Sequence, residues 1–420
     1  MKQRINVKID TTSRKILLGM AIFAVIVVLW HLGKSGLANM AALRTDRTDI
    51  ADLTIDWAPA DPQTHFAAAV LYDKTFLPQD QTRSLSEYET AVALSPDNYL
   101  LWLEYGKALS RSGDSEHAEA ALRRAVDLAP NYAIVHWTLG NTLVRNGKAD
   151  EGFAEIGKAI EADESYARPA VAIAYTYFDR DAAKIRGVVG PSAAADAALA
   201  LALASDKRYS DAVLVWSSIV TAKSSDQLTE ARNDLVNDLL SAKNFTLARQ
   251  VSLSTDTPPV GEITNGGFEE GIKLQNAAPF EWQITVGSQP QIAQSTRQPH
   301  SGGRSLVLIF NSTDGNSLRQ MSQTVVVQPG GKYTFRGFYH SDLKSTSPLV
   351  WQVVNASSGQ TLAELQLKDP ANDWTQFAMQ FTVPQDADGI TFRLLRAGCG
   401  STICPITGSM WFDDLSLAQN

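Results

Sequence analysis

Three patterns of apolar and polar positions follow one another along the chain. Residues 16–32, ILLGMAIFAVIVVLWHL, are apolar apart from His31 near the edge. From residue 61 to 251, apolar residues recur every three to four positions, as in amphipathic helices. From residue 262 the spacing falls to two, in runs such as SLVLIF, KYTFRGFYH, LVWQVV, WTQFAMQFTV and ITFRLLR separated by Gly, Asn, Asp, Ser and Pro clusters. Many short alternating strands at close spacing predict an all-β sandwich or jelly roll. Residues 252–261, SLSTDTPPVG, read as a linker, because Pro258-Pro259 ends helix and favours extended chain.

The apolar run is near the lower limit for a membrane-spanning helix, about 17 to 25 residues. Lys2, Arg4, Lys8, Arg14 and Lys15 precede it, whereas Lys34, Arg44 and Arg47 follow more sparsely. That asymmetry predicts a cytoplasmic tail (1–15), a transmembrane signal anchor (16–33) and export of the rest to the periplasmic side of a bacterial inner membrane. The alternative is a signal peptide cleaved after Ala38; the run is longer than the roughly 7 to 15 apolar residues of cleaved signals. Residues 34–60 read as a polar spacer.

Within the helical region (61–251), residues 84–167 match themselves at a shift of 34. Ala91 falls on Ala125 and Ala159, Pro96 on Pro130, Gly106 on Gly140 and Leu109 on Leu143. Small residues (Gly106, Ala118, Gly140, Gly152) sit where paired helices press together, and Pro130 ends a helix. A period of about 34 is one helix–turn–helix unit. The segment resembles the tetratricopeptide repeat (TPR) family: Trp102, Tyr105, Gly106, Leu109, Ala118, Leu122, Ala125 and Pro130 take its pattern positions. A third repeat precedes them at 65–98, and His136 departs from the pattern in the Trp position. Five or six helix pairs are expected, with degenerate outer ones. The resemblance places Lys107, Arg111, Trp137, Asn141 and Arg145 on the concave face, as a partly basic groove for an acidic or C-terminal segment of a protein partner. Asn141 is similar to the asparagine of peptide-carboxylate-clamping members, although Trp137 stands where those carry lysine. The alternative reading of these residues is a solvated helix face.

The β region (262–420) is similar to carbohydrate-binding modules with the galactose-binding-like jelly roll. The resemblance is carried by NGGFEEG at 265–271, Trp282, HSGGRSL at 300–306, the Trp374 strand and the terminal WFDDLSL. It implies a structural calcium ion held by Glu269 and Asp413, with backbone oxygens near Ser301 and Gly303; hard oxygen ligands suit that ion. The alternative is a metal-free carboxylate pair bonded to backbone. For a polysaccharide or oligosaccharide the candidates are Arg336, Phe338 and His340, on the mixed face of one strand, with Gln352 and Arg393 at similar parity and Trp282, Trp351 and Trp374 as further aromatics. A lone tryptophan is more often core than platform. Cys399 and Cys404 flank the loop GSTI, and a disulfide between them suits an exported chain.

With 420 residues there is room for two or three domains, and the net charge of −8 argues against nucleic acid as a partner. No phosphate loop, zinc set or nucleophile motif is present, and Glu269-Glu270 and Asp413-Asp414 fall in structural positions of the fold. The sequence therefore predicts a non-enzymatic, membrane-anchored adaptor of exopolysaccharide or cell-surface polysaccharide production. A pure protein-assembly scaffold is the alternative; a glycan-active enzyme is disfavoured.

Overall fold

The computed structural model describes residues 12–219, 225–313, 318–368, 371–399 and 403–420. Lys2, Arg4 and Lys8 of the expected tail, Val220 to Ala222 of one expected helix, and Gly400 to Thr402 of the cysteine loop lie outside them. Among the described residues there are 14 α-helices followed by 11 strands. The helices are α1 Thr12–Ala42, α2 Thr48–Trp57, α3 Pro62–Asp73, α4 Pro78–Leu94, α5 Tyr99–Ser112, α6 Ser115–Leu128, α7 Ala133–Arg145, α8 Ala149–Ala162, α9 Ala167–Tyr177, α10 Ala182–Val189, α11 Ala193–Ser205, α12 Tyr209–Ser217, α13 Asp226–Ser241 and α14 Phe245–Leu253. The strands are β1 Gln283–Ile284, β2 Gln291–Ser295, β3 Ser305–Ser312, β4 Met321–Val326, β5 Lys332–Ser341, β6 Lys344–Ser345, β7 Leu349–Asn355, β8 Thr361–Gln366, β9 Ala371–Thr382, β10 Gly389–Arg396 and β11 Ile406–Gln419.

The chain divides into two compact units, Met1–Ala195 and Asp196–Asn420, within α11 rather than at 252–261. Helix α1 contains one stretch, Lys15–Ala42, long and apolar enough to cross a membrane by length and composition, with mean hydropathy 2.5. The expected spacer is a correction: α1 runs on to Ala42, and α2 occupies much of the remainder. Ala38, Ala42 and Ala51 are buried, and Asn39 Nδ2 donates to Asp61 Oδ2 at 2.9 Å. Small side chains four residues apart on α1 allow close helix approach, which a count of polar residues does not reveal.

The three expected repeats are the pairs α3–α4, α5–α6 and α7–α8. Asn98 caps α5 by accepting from the Leu100 N–H at 3.1 Å, and Asp114 caps α6 by accepting from the His117 N–H at 3.2 Å. Gly113 ends α5 at φ +88°, where a side chain would be strained. A Cβ on Gly140 would come within 2.7 Å of the Gly152 carbonyl oxygen, so this helix pair closes on bare backbone. The His136 departure has a physical explanation. Trp102 Nε1 donates to the Pro96 oxygen at 2.8 Å, and His136 Nε2 makes the same bond to Pro130 at 2.8 Å. His65 repeats it to Pro59 at 3.0 Å. Each histidine also bonds a glutamate through Nδ1 at 2.6 Å, His65 to Glu87 and His136 to Glu155.

In the second unit two antiparallel sheets face each other. Sheet one has the order β1-β4-β10-β7-β8 and sheet two β2-β3-β11-β5-β9, with β6 beside β11. Trp351, Phe335, Phe392 and Phe412 are buried between them. Helix α14 belongs to this unit: the Thr246 N–H donates to Asp388 Oδ2 at 2.9 Å, and Phe245 packs against Gly389. At the end of the expected linker, the Gly261 N–H donates to the Val326 oxygen at 2.8 Å. The chain is thus tied to the sandwich on both sides of the Pro-Pro segment.

Candidate functional site

In the helical array the five groove residues come together. Lys107, Arg111, Trp137, Asn141 and Arg145, on α5 and α7, line one cavity of about 370 Å³, joined by Ser110, Thr138 and Thr142. One residue per turn on the first helix of consecutive repeats puts these side chains on one surface. Their charges are not equivalent. Lys107 is paired with Glu104 at 2.7 Å and Arg111 with Asp73 at 2.5 Å. Arg145 instead donates to the Ser110 hydroxyl at 2.6 Å and meets no carboxylate among the described residues. Asn141 Nδ2 is turned onto its own helix, donating to the Trp137 oxygen at 2.7 Å. Arg145 is the cation left for an incoming acid, and Trp137 supplies apolar contact.

In the sandwich the eight candidates separate. Trp351 is fully buried and Trp282 is 2% exposed. Trp351 packs edge-on to Phe335 and Phe412, while Trp282 Nε1 donates to the Asn265 oxygen at 3.2 Å. Both are core, and neither ring can meet a glycan. The remaining six lie on opposite outer faces, because β5 and β9 belong to sheet two and β7 and β10 to sheet one. Strand parity alone cannot say which sheet a strand joins.

On sheet one, Arg393, Gln352 and Glu364 are cross-strand neighbours. Gln352 donates to Glu364 and accepts from Arg393, forming a closed polar row; Gln352 itself is buried. On sheet two the strand pairing brings rings together. His300 stacks on Phe338 with centroids 3.7 Å apart, and Trp374 lies edge-on at 5.5 Å. His340 stands between Trp374 at 6.2 Å and Trp411 at 4.9 Å. Phe338, His340, Trp374 and Trp411 are half-buried; His300 and Arg336 are exposed. His300 and Trp411 are the members that sequence reasoning missed. They come from a loop and a strand far from β5 in sequence; the β11–β5 register sets Trp411 opposite His340, and bonds to Asp413 and Asp414 place His300.

The motifs at 265–271, 300–306 and 411–417 meet beside this platform. Glu269 Oε1 accepts from the Gly303 and Arg304 N–H groups at 2.8 and 3.1 Å. Asp413 Oδ2 accepts from the His300 and Ser301 N–H groups at 2.8 and 3.2 Å, and Oδ1 from Asp414 N–H at 2.8 Å. Burial pushes the Asp413 carboxyl up, against the pull of those bonds. Asp414 holds the platform histidine, with Oδ2 2.6 Å from His300 Nδ1, and accepts from the Ser301 hydroxyl at 2.7 Å. The groups bonded to the Glu269 and Asp413 carboxylates are backbone N–H donors. Among the described residues no three His, Cys, Asp or Glu side chains converge as a metal site. Cys399 and Cys404 are joined in a disulfide.

Comparison with known proteins agrees with these two halves. The model of a carbohydrate binding domain matches residues 261–395, and that of a tetratricopeptide repeat matches 99–132. No curated protein matches the chain. Among solved structures, a CBM4 chain is 19% identical over 38% of this chain and 100% of its own, with TM-score 0.28. The enzymatically active domain of bacteriophage CBA120 tailspike protein 4 is 13% identical over 38% of this chain, TM-score 0.29, and the match spans only 22% of that chain. MamA (AMB-1) is 21% identical over 28% of this chain and 68% of its own, with TM-score 0.26. The chain carries a tetratricopeptide repeat and, after it, a carbohydrate-binding module.

Proposed function

We propose that this chain is a non-catalytic adaptor, held by α1 in a bacterial inner membrane with the bulk of the chain on the periplasmic side. It takes a protein partner in the α5–α7 cavity and a glycan on the ring platform of sheet two, in the production of an exopolysaccharide or cell-surface polysaccharide. The single observation that carries the glycan role is the platform itself: His300, Phe338, His340, Trp374 and Trp411 on one outer face, beside Arg336. Sugar rings stack on aromatic faces, and a few fixed polar groups orient them. Sheet one offers the polar row without rings, so it ranks second as a glycan surface. The basic residues before α1 and the joined cysteines support an exported chain. The meeting of the 265–271, 300–306 and 411–417 motifs supports the galactose-binding-like subtype. A non-catalytic role is favoured because Glu269 and Asp413 are engaged by backbone N–H groups rather than facing a cleft.

The test is a glycan array probed with the full chain in detergent, wild type against Trp374→Ala and Trp411→Ala. Loss of about tenfold in affinity, near 1.4 kcal/mol, with unchanged melting supports the platform. Equal binding by all three moves the glycan to sheet one, and no glycan bound by any of them leaves the pure scaffold reading.

A further inference from the structure

The sandwich has an end cavity that neither candidate face uses. It lies where β3 and β10 finish and β7 begins, encloses about 240 Å³, and is lined by Leu308, Phe310, Leu349 and Leu394 with Arg319, Gln320 and Arg396. The four apolar side chains belong to the core between the sheets. Two half-buried guanidinium groups share this cavity with Gln320 and apolar side chains, and a charge taken partly out of water is costly without a counter-charge. Neither meets a carboxylate among the described residues. Arg319 Nε donates to the Thr285 oxygen at 3.0 Å. Arg396 Nη1 donates to the Cys404 oxygen at 2.7 Å, and Nη2 to the Ser345 hydroxyl and the Pro405 oxygen at 2.8 and 2.9 Å. Its Nε is buried with no acceptor. Carbonyls and a hydroxyl satisfy part of the hydrogen-bonding capacity of Arg396 but none of its charge.

We propose that this end cavity receives the carboxylate of an acidic sugar residue, so that the glycan recognised by this chain is a uronate-containing polymer. The inference rests on the glycan-binding reading and adds the ligand's charge class. The cavity mouth admits the acidic end of a pyranose ring, its carboxylate between the arginines and its C–H face against the half-buried Leu318 and Leu395. Guanidinium–carboxylate pairs are charge-assisted and directional, which gives discrimination against a neutral sugar of the same shape. Arg396 is already fixed by its three acceptors, so little side-chain entropy is lost when it takes an anion.

The experiment is calorimetric titration of the full chain in detergent with sodium glucuronate and with methyl glucoside. Glucuronate should bind at least about tenfold more tightly. Arg319→Gln should remove that preference, Arg319→Lys should keep most of it, and raising salt from about 0.05 to 0.5 M should weaken it. Trp374→Ala should leave it intact. Should Arg319→Gln melt early, the Arg319→Lys and salt measurements still decide. Equal affinity for the two sugars, or a glucuronate preference indifferent to Arg319, overturns the inference. Loss of glucuronate binding in Trp374→Ala alone overturns it while sparing the ring platform, whereas a chain that binds neither sugar nor any array glycan overturns both readings.

Discussion

The helical groove and the sandwich faces differ in how their side chains are brought together. All five groove candidates line one cavity. The eight sandwich candidates divide among the core, sheet one and sheet two. In a repeat array, side chains meet because of a helical period and a stacking rule, both local in sequence. In a jelly roll, neighbours are set by which strands pair: Trp411 faces His340 across a separation of some seventy residues, while Arg336 and Gln352, sixteen apart, lie on opposite sheets. Local order thus suffices for a site in the first architecture and not in the second.

The largest effect that sharpens this contrast is Trp351→Ala. It should cost about 3–5 kcal/mol in denaturant unfolding, as a large buried aromatic does, while glycan affinity per folded molecule stays the same. Lost affinity at full stability would return Trp351 to the ligand surface. Next comes Gly140→Ala, whose Cβ would press on the Gly152 oxygen and on Ile156. Overpacking of that kind costs about 1–3 kcal/mol. A melting temperature equal to wild type would mean that α7 and α8 need no such close approach.

A smaller effect should follow from Arg145→Ala. The groove keeps its paired Lys107 and Arg111 but loses its open cation, so binding of an acidic peptide library should fall about tenfold, near 1.4 kcal/mol. An unaffected library would place the partner elsewhere on the array. The smallest is a pH effect at Glu155. Burial opposes its ionisation, yet hydrogen bonds from Lys158 and His136 prevail and hold the carboxyl below its ordinary value. A depressed carboxyl stabilises the fold above its unfolded pKa, about 4.3, and that contribution is lost as pH falls through the native value. Between about pH 5 and 3, wild type should therefore lose a few degrees more than Glu155→Gln in thermal melts. Parallel slopes would show that the His136–Glu155 pair adds nothing specific.

Several features are legible in the sequence alone. The change of period from about 3.6 to 2 marks helices followed by strands, and the 34-residue shift marks the repeats. What was not legible has physical causes. The stretch 34–60 is polar in composition yet helical, because buried alanines on α1 and α2 and the Asn39–Asp61 bond hold it against α3. The Pro-Pro segment follows α14 without separating units, because Asp388 and Gly389 dock α14 onto the sandwich. His136 looked like a departure from the repeat, but its Nε2 supplies the same hydrogen bond as an indole N–H.

By itself, then, the sequence determined the succession of an apolar helix, a TPR array and an all-β sandwich, and the composition of the groove. These depend on periodicity, caps and turn residues, which act over a few positions. The tertiary structure alone decided that two tryptophans are core, that His300 and Trp411 join Phe338, His340 and Trp374, and that N–H groups face Glu269 and Asp413. It also decided that two arginines line one end cavity. Each of those outcomes turns on strand order and register, and hydrogen bonds between distant strands are set by closing the whole sandwich around its core.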